Sequence, residues 1–475
     1  MSKNQSIPLC VDLDGTLIHS DLLLESFLVL IKQNPLFLFL LPLWLLGGKA
    51  KLKAQIARRV QINGGALPYS EAFVGWLKDQ KNQGREIWLC TASDQRMAQA
   101  VADHVGLFDG VLASDGHTNL SGDHKAKQLV QRFGERGFDY CGNHRVDLKV
   151  WKHARAAIVV NASSGLEDRA RACTQVEVVF QPPKSGLKVA LKALRVHQWA
   201  KNALIFVPLA AAHRLGDTST LVAGLLAFAA FSLCASSVYL LNDMLDLEAD
   251  RKHPRKCKRP FAAGTLSLLF GLAAAPTLLL ISFALALMLP LKFLAVLGAY
   301  YVVTLAYSFG LKRLVMIDVL TLAGLYTVRI VAGAAATGIP LSFWLLLFAI
   351  FIFLSLAIVK RYAELHAMRK QGQLEASGRG YQVEDLALLQ SLGASSGYIS
   401  ILVLALYVNS PDIAVLYKHP KTVWMLCPIM LYWISRVWMQ TYRGHMHDDP
   451  LVFALKDKVS LLTGLAAAAV LFLAV

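Results

Sequence analysis

The sequence predicts an N-terminal α/β domain built on a parallel sheet, followed by an all-α polytopic membrane domain of about nine transmembrane helices. Three observations carry this. Residues 1–195 hold 25 Lys/Arg and 18 Asp/Glu, whereas the longer remainder, 196–475, holds only 23 and 14, so a soluble-type part is joined to an apolar one. Short apolar runs of strand type alternate with helix-type stretches in the first part, the pattern of a parallel sheet. Nine apolar stretches follow in the second. With 55% hydrophobic and 17% charged residues, the composition excludes a wholly soluble enzyme, a disordered chain and a secreted disulfide scaffold. The domains divide at 185/186. Seven cysteines without CxxC spacing read as reduced thiols, and the net charge of +16 suits loops beside anionic lipid rather than nucleic acid. Residues 1–20 lack a basic segment ahead of an apolar one, so no signal peptide is expected and the first part is expected to stay in the cytoplasm.

In the first part, residues 7–11 read as a strand feeding the loop Asp12, Leu13, Asp14, Gly15, Thr16. Further strands are expected at 86–90, 140–142 and 156–160, with helices at 69–81, 94–105 and 125–133. Loops at the ends of such strands are where a parallel sheet binds ligands. Two carboxylates at the spacing of Asp12 and Asp14 suit phosphoryl transfer, in which a nucleophile and a proton donor meet one phosphate. Residues 35–46, PLFLFLLPLWLL, are too few to cross a bilayer. Lys49, Lys51, Lys53, Arg58 and Arg59 follow, and a helix lying on the membrane surface over 35–59 is expected.

Residues 7–180 resemble the haloacid dehalogenase (HAD) phosphatase superfamily. VDLDGT looks like its first motif, which makes Asp12 the nucleophile and Asp14 the proton-handling acid. Thr91 in LCTAS looks like the phosphate-holding hydroxyl. Lys125 in GDHKAKQL looks like the charge-balancing cation, preferred over Lys127 because Leu129 then falls four residues on. The fourth motif departs from the family: an aspartate usually follows the glycine, and here Gly142 is followed by Asn143. The resemblance implies Mg2+ held by Asp12, Asp14 and Asn143, with Asp147 supplying the missing charge.

In the second part, apolar stretches lie at 203–212, 219–241, 266–289, 293–309, 315–337, 341–358, 387–408, 421–439 and 456–475, the first being short. Loops assigned to the cytoplasm (242–265, 310–314, 359–386, 440–458) hold 16 Lys/Arg against four in the others, consistent with nine spans. Asn242, Asp246 and Asp250 fall four residues apart, with Asp243 beside the first. If the helix continues, these oxygens stack on one face at the membrane rim and suit hard cations that bridge a diphosphate. Arg251, Lys252, Arg255, Lys256, Lys258 and Arg259 follow at once as cations for phosphate oxygens. Asp318 and Arg329 lie three turns apart inside one span, where ionisable groups are expensive. Asp448, Asp449 and Asp457 read as interfacial loop residues.

Residues 195–475 resemble the UbiA superfamily of intramembrane prenyltransferases. RVHQWAKN at 195–202, DRKHPRKCKRPFAAG at 250–264, YSFGLKR at 307–313 and KRYAEL at 360–365 are similar to its polyprenyl-phosphate phosphoribosyltransferase branch, the decaprenyl-phosphate type. Where aromatic prenyltransferases carry a second DxxxD, this chain has Lys360, Arg361 and Glu364. The resemblance implies Mg2+ on Asn242, Asp243, Asp246 and Asp250, phosphoribosyl diphosphate as donor and polyprenyl phosphate as acceptor. It also implies substrate contacts from Lys201, Asn202, Arg251, Lys256, Lys258, Arg259, Lys312, Arg329, Lys360, Arg361 and Glu364. The fusion then reads as a bifunctional enzyme that adds phosphoribose to the lipid and removes its 5-phosphate. An aromatic prenyltransferase, or a lipid-phosphate carrier with a non-catalytic HAD module, are the competing readings. The expected location is the bacterial inner membrane, with the N-terminal domain and acidic loop cytoplasmic; self-association is left open.

Overall fold

The computed structural model describes residues 7–183, 186–370, 380–446 and 449–475. Asp448 lies outside them. The chain forms two compact units, one of Met1–Leu194 with Tyr239–Ala274, the other of Arg195–Val238 with Ala275–Val475.

The first unit is built on six parallel strands: β1 (Leu9–Val11), β2 (Ile87–Asp94), β3 (Gly110–Ser114), β4 (Asp139–Gly142), β5 (Ala156–Val160) and β6 (Gln175–Phe180), in the order β3-β2-β1-β4-β5-β6. All residues of β1 and β5 are fully buried, the signature of strands covered on both faces. Leu9, Val11, Leu89 and Ile158 join one core, while Cys10, Tyr140, Ala157 and Val159 join the other. The expected strands are present. β3 and β6 were not expected: β3 is partly buried along most of its length and β6 is a half-exposed edge, so neither presents a clear apolar run. Because β1 lies between β2 and β4, the loops after these three strands meet at one end of the sheet. This parallel α/β domain is compatible with a HAD-like fusion.

After the first motif, helix α1 (Leu22–Gln33) is capped by Asp21, whose carboxylate accepts the Leu24 N–H. A 3-10 turn (Pro35–Phe39), helix α2 (Leu41–Leu46) and helix α3 (Lys49–Ala57) follow.

Residues 239–274 pack within this same unit. Arg251 donates to both carboxylate oxygens of Glu25 on α1, at 2.8 and 2.6 Å, and to the Ala66 carbonyl. Gly264, at φ +68°, lies so close to His19 that a Cβ would come within 2.5 Å of the His19 Cβ, so a side chain here is excluded twice over.

Among the described residues, seven helices are long and apolar enough to cross a membrane: Thr218–Leu245, Leu268–Ala286, Leu291–Phe309, Ile317–Thr337, Phe343–Lys370, Val383–Val408 and Pro420–Tyr442. Pro450–Lys456 and Lys458–Ala474 make an eighth if taken together, bent by 83°. The bend falls where Asp457 turns its carboxylate to the Ser460 N–H and starts a new helix. The segment expected to span at 203–212 is instead an eleven-residue 3-10 stretch, Val196–Phe206, joined to the short helix Val207–Ala211. It holds only five residues of α-helix, too few for a helical span, so about seven spans stand where about nine were expected. In the second unit a core of Tyr326, Phe353, Leu356, Tyr362, Ile434 and Trp438 ties three of these helices together.

Candidate functional site

The α/β domain gathers its predicted residues at the ends of β1, β2 and β4. Lys125 Nζ lies 2.9 Å from Asp12 Oδ1 and 2.8 Å from the Tyr140 hydroxyl, which in turn donates to Asp147 at 3.2 Å. Lys125 is nearly fully buried. Burial opposes its charge, but Asp12 and Asp147 more than restore it and hold its pKa above the usual lysine value. Asp14 accepts from the Leu22 N–H (2.7 Å) and the Ser93 hydroxyl (2.8 Å). Burial, with the charges of Asp21 and Asp12, still pushes its pKa up to about 7, the range of a general acid. Gly15, at φ +75°, turns the chain so tightly that a Cβ would sit 2.0 Å from the Asn143 amide nitrogen. Asn143 therefore reaches the first motif.

Two predicted residues are held by hydrogen bonds to their own segment. Thr91 is fully buried, and its hydroxyl accepts the Ser93 N–H at 3.0 Å; Ser93 is the hydroxyl that touches Asp14. Asp147 caps its own turn, accepting the N–H groups of Asn143 and His144 at 3.0 and 2.9 Å. Burial and the Asp12 charge push its pKa up to about 6. Lys53, not singled out for this cleft by the sequence, reaches the Ala92 carbonyl (2.5 Å) and Asn119 (3.1 Å).

In the acidic segment the helix Thr218–Leu245 does not continue straight. It stops before Asp246, which starts the short helix Leu247–Lys252 at φ −103°. The change separates the carboxylates. Asp243 and Asp250, two turns apart, share Arg259 Nη1 at 3.0 and 2.6 Å, whereas Asp246 turns to Lys32 on α1 at 2.8 Å. Burial raises the Asp250 pKa against the pull of Arg259. Among the described residues no three acidic, histidine or cysteine side chains converge as a cation site. A guanidinium nitrogen nevertheless stands where one cation meets two carboxylates, so the pair Asp243–Asp250 fits a divalent ion once Arg259 moves to a phosphate. In the α/β cleft, Asp12 with the Asn143 amide offers a weaker oxygen set for the same ion. Arg251 is paired with Glu25. Lys256 and Lys258 lie in a 3-10 turn, where the Lys258 carbonyl accepts from Lys192; Asn242 is half-buried on the last turn of its helix.

The second unit has its own polar cluster. Asp449, nine-tenths buried, accepts from Lys201 (2.7 Å), from Lys360 (3.3 Å) and from the Tyr326 hydroxyl (3.0 Å). These cations hold its pKa well below the usual carboxylate range against the effect of burial. The sequence reading placed Asp449 in an interfacial loop, and only its neighbouring acids drew attention to it. Asn202 accepts from Arg329 (2.8 Å) and donates to Ser232 (2.9 Å). Arg361 is buried against Asp318, Tyr307 and Glu364. Asp318 and Arg329 thus take different partners despite sharing a helix. Lys312 sits half-buried in the turn Leu311–Arg313.

The sequence profile described as the UbiA prenyltransferase family matches residues 203–456. The protein y4nM of Sinorhizobium fredii is 37% identical over 464 residues, covering 97% of this chain and 90% of that one. The nodulation protein NoeC of Azorhizobium caulinodans is 36% identical over 274 residues, 57% of this chain and 88% of its own. Decaprenyl-phosphate phosphoribosyltransferase of Mycobacterium tuberculosis is 34% identical over 296 residues, 61% of this chain and 95% of its own. Among solved structures, a UbiA homologue from Archaeoglobus fulgidus bound to DMAPP and Mg2+ aligns with a TM-score of 0.45 at 17% identity, covering 59% of this chain and 98% of that one.

Proposed function

The chain belongs to the UbiA prenyltransferase family, and from that premise we propose that it transfers 5-phosphoribose from phosphoribosyl diphosphate to polyprenyl phosphate, its α/β domain then removing the 5-phosphate. The observation that carries the reading is the pair Asp243–Asp250 on a single guanidinium at the head of a basic run, an arrangement ready for a diphosphate. The names of the mycobacterial relatives support the choice of acceptor and of the transferred phosphoribosyl group.

In the transfer step a phosphate oxygen of the lipid attacks the anomeric carbon, and the bond to diphosphate breaks with its electron pair leaving on oxygen. Arg259, released from its two carboxylates, neutralises the departing phosphate oxygens. Lys201 and Lys360 offer further cations. Asp243 and Asp250, joined by Asp246 if it leaves Lys32, and in the α/β cleft Asp12, Asp14 and Asn143, would hold Mg2+, which would supply charge neutralisation to the phosphates when bound. In the phosphatase step Asp12 attacks phosphorus as the bond from phosphorus to the ribose oxygen breaks, Asp14 giving its proton to that alkoxide; water then attacks the aspartyl phosphate, Asp14 takes its proton, and the bond from Asp12 to phosphorus breaks to release phosphate. Lys125 balances charge on the Asp12 side of the phosphate. The functional division proposed is 1–185 for this step and 186–475 for the transfer.

The proposed topology keeps the nine crossings expected from the sequence, with the α/β domain and the acidic loop on one face of the membrane. Six Lys/Arg in 242–265 support the cytoplasmic side for that face, and a bacterial inner membrane is the proposed location.

The test is diphosphate release by purified protein with Mg2+. The proposal expects release only when phosphoribosyl diphosphate and polyprenyl phosphate are both present. Release requiring a polyprenyl diphosphate and a phenolic acid instead would assign aromatic prenyl transfer.

A further inference from the structure

The stretch between α1 and α3 leaves an apolar surface that neither core absorbs. Leu36, Phe39, Leu43 and Leu46 are 66, 78, 60 and 85% exposed with the whole chain present. Such a contiguous patch needs a partner. Two observations on either side of it say which. Three residues before the patch begins, Lys32 Nζ lies 2.8 Å from Asp246, the residue that directly follows the membrane-crossing helix Thr218–Leu245. The patch therefore starts at the rim of a span. Immediately after it, Lys49 and Lys51 are exposed on α3, followed by Arg58 and Arg59, a row of cations suited to lipid phosphates. The five-residue 3-10 turn and the six-residue α2 are too short to cross, and the length suits lying in the interface.

We infer that residues 35–46 insert into the surface of the bilayer that holds the chain's own spans, apolar side chains among the acyl chains and the α3 cations at the headgroups. The α/β domain is then fixed to the membrane at a second point besides its chain connection. α3 leaves the patch carrying Lys53 into the phosphatase-type cleft, so the segment on the lipid also forms a wall of that cleft. The inference stands apart from the reaction assigned to the cleft.

The experiment places a photo-reactive phenylalanine analogue at position 39, or at 46, of the full-length protein in nanodiscs of phosphatidylethanolamine and phosphatidylglycerol. Gln128, exposed on the helix Asp123–Phe133, is the control position. All three positions face outward, so each variant should keep the fold, which a monodisperse elution profile verifies. After irradiation, mass spectrometry is expected to find phospholipid adducts at 39 and 46 at about tenfold or more the yield at 128, rising further at 46 as the anionic lipid fraction rises. Adducts to a second copy or to another segment of this chain, equal yields at 128, or no lipid adduct at either position would overturn the inference.

Discussion

Replacing Asp449 by Asn removes the one carboxylate that gathers Lys201, Lys360 and Tyr326. The side chains of Lys201 and Asp449 are 10% and 9% exposed at 2.7 Å, so their pairing is a buried one. Breaking a buried pair strands a charge and costs about 3–5 kcal/mol. The Lys360 contact adds little, because that side chain is 37% exposed at 3.3 Å and solvent screens it to about 0–1 kcal/mol. The expected loss for Asp449→Asn is therefore about 3 kcal/mol, nearly all through Lys201. Lys201→Met in the same chain removes the stranded ammonium, so the double variant should recover most of that loss, a coupling of about 2 kcal/mol. Thermal unfolding in one detergent, run on all four chains, reads it as a drop of several degrees for the single variant and partial return for the double. Strictly additive losses, or an unchanged midpoint for Asp449→Asn, would refute the assignment of Lys201 to Asp449.

Other expectations follow from the two sites. Asp12→Asn should abolish phosphate release from the phosphoribosylated lipid while leaving diphosphate release at its wild-type rate; loss of both in a well-folded variant would contradict two separate sites. Hydrolysis at the α/β cleft should fall as pH rises through about 7, because Asp14 must carry a proton to act as acid, and Asp14→Asn should remove that limb of the profile. The same raised value means the folded state binds this proton more tightly than the unfolded chain, where the ordinary value is 3.8; the stabilisation is fully present below that value and lost as pH rises to about 7. Arg251→Ala should cost about 3 kcal/mol by stranding Glu25, with Glu25→Gln in the same chain restoring part of it and the KM for phosphoribosyl diphosphate little changed; a large KM effect would return Arg251 to the substrate. Asn143→Asp should lower the Mg2+ concentration needed for half-maximal phosphate release by about tenfold, as a carboxylate replaces an amide, and an unchanged requirement would remove Asn143 from the cation site.

Much of the α/β domain was legible because its signals are local. The run 7–11 feeding DLDGT, and the buried β5, follow from apolar runs that end in loop residues. β3 and β6 were missed because partial burial leaves no such run. Lys125 beside Asp12 followed from family spacing, whereas Ser93, two residues from Thr91 on the same strand, was not singled out, because only packing shows that its hydroxyl meets Asp14. The acidic segment was legible in composition but not in partnership. Its helix breaks at Asp246, and Arg251 looks like any cation in a basic run until Glu25, 226 residues earlier, is seen to take it. Asp449 was the least legible, because its partner Lys201 lies 248 residues away and an aspartate in a polar loop carries no local mark of burial. The span count differed at the two segments where helix is not regular: the 3-10 stretch before Val207 and the bend at Asp457.

The central claim is that this chain moves phosphoribose onto a lipid phosphate, and the mass of the lipid product tests it most directly. Purified protein in detergent with Mg2+, polyprenyl phosphate and phosphoribosyl diphosphate should yield a lipid heavier by one phosphoribosyl group, followed by a species lighter than that by one phosphate. A lipid of unchanged mass, from protein that is folded and monodisperse, would contradict the account.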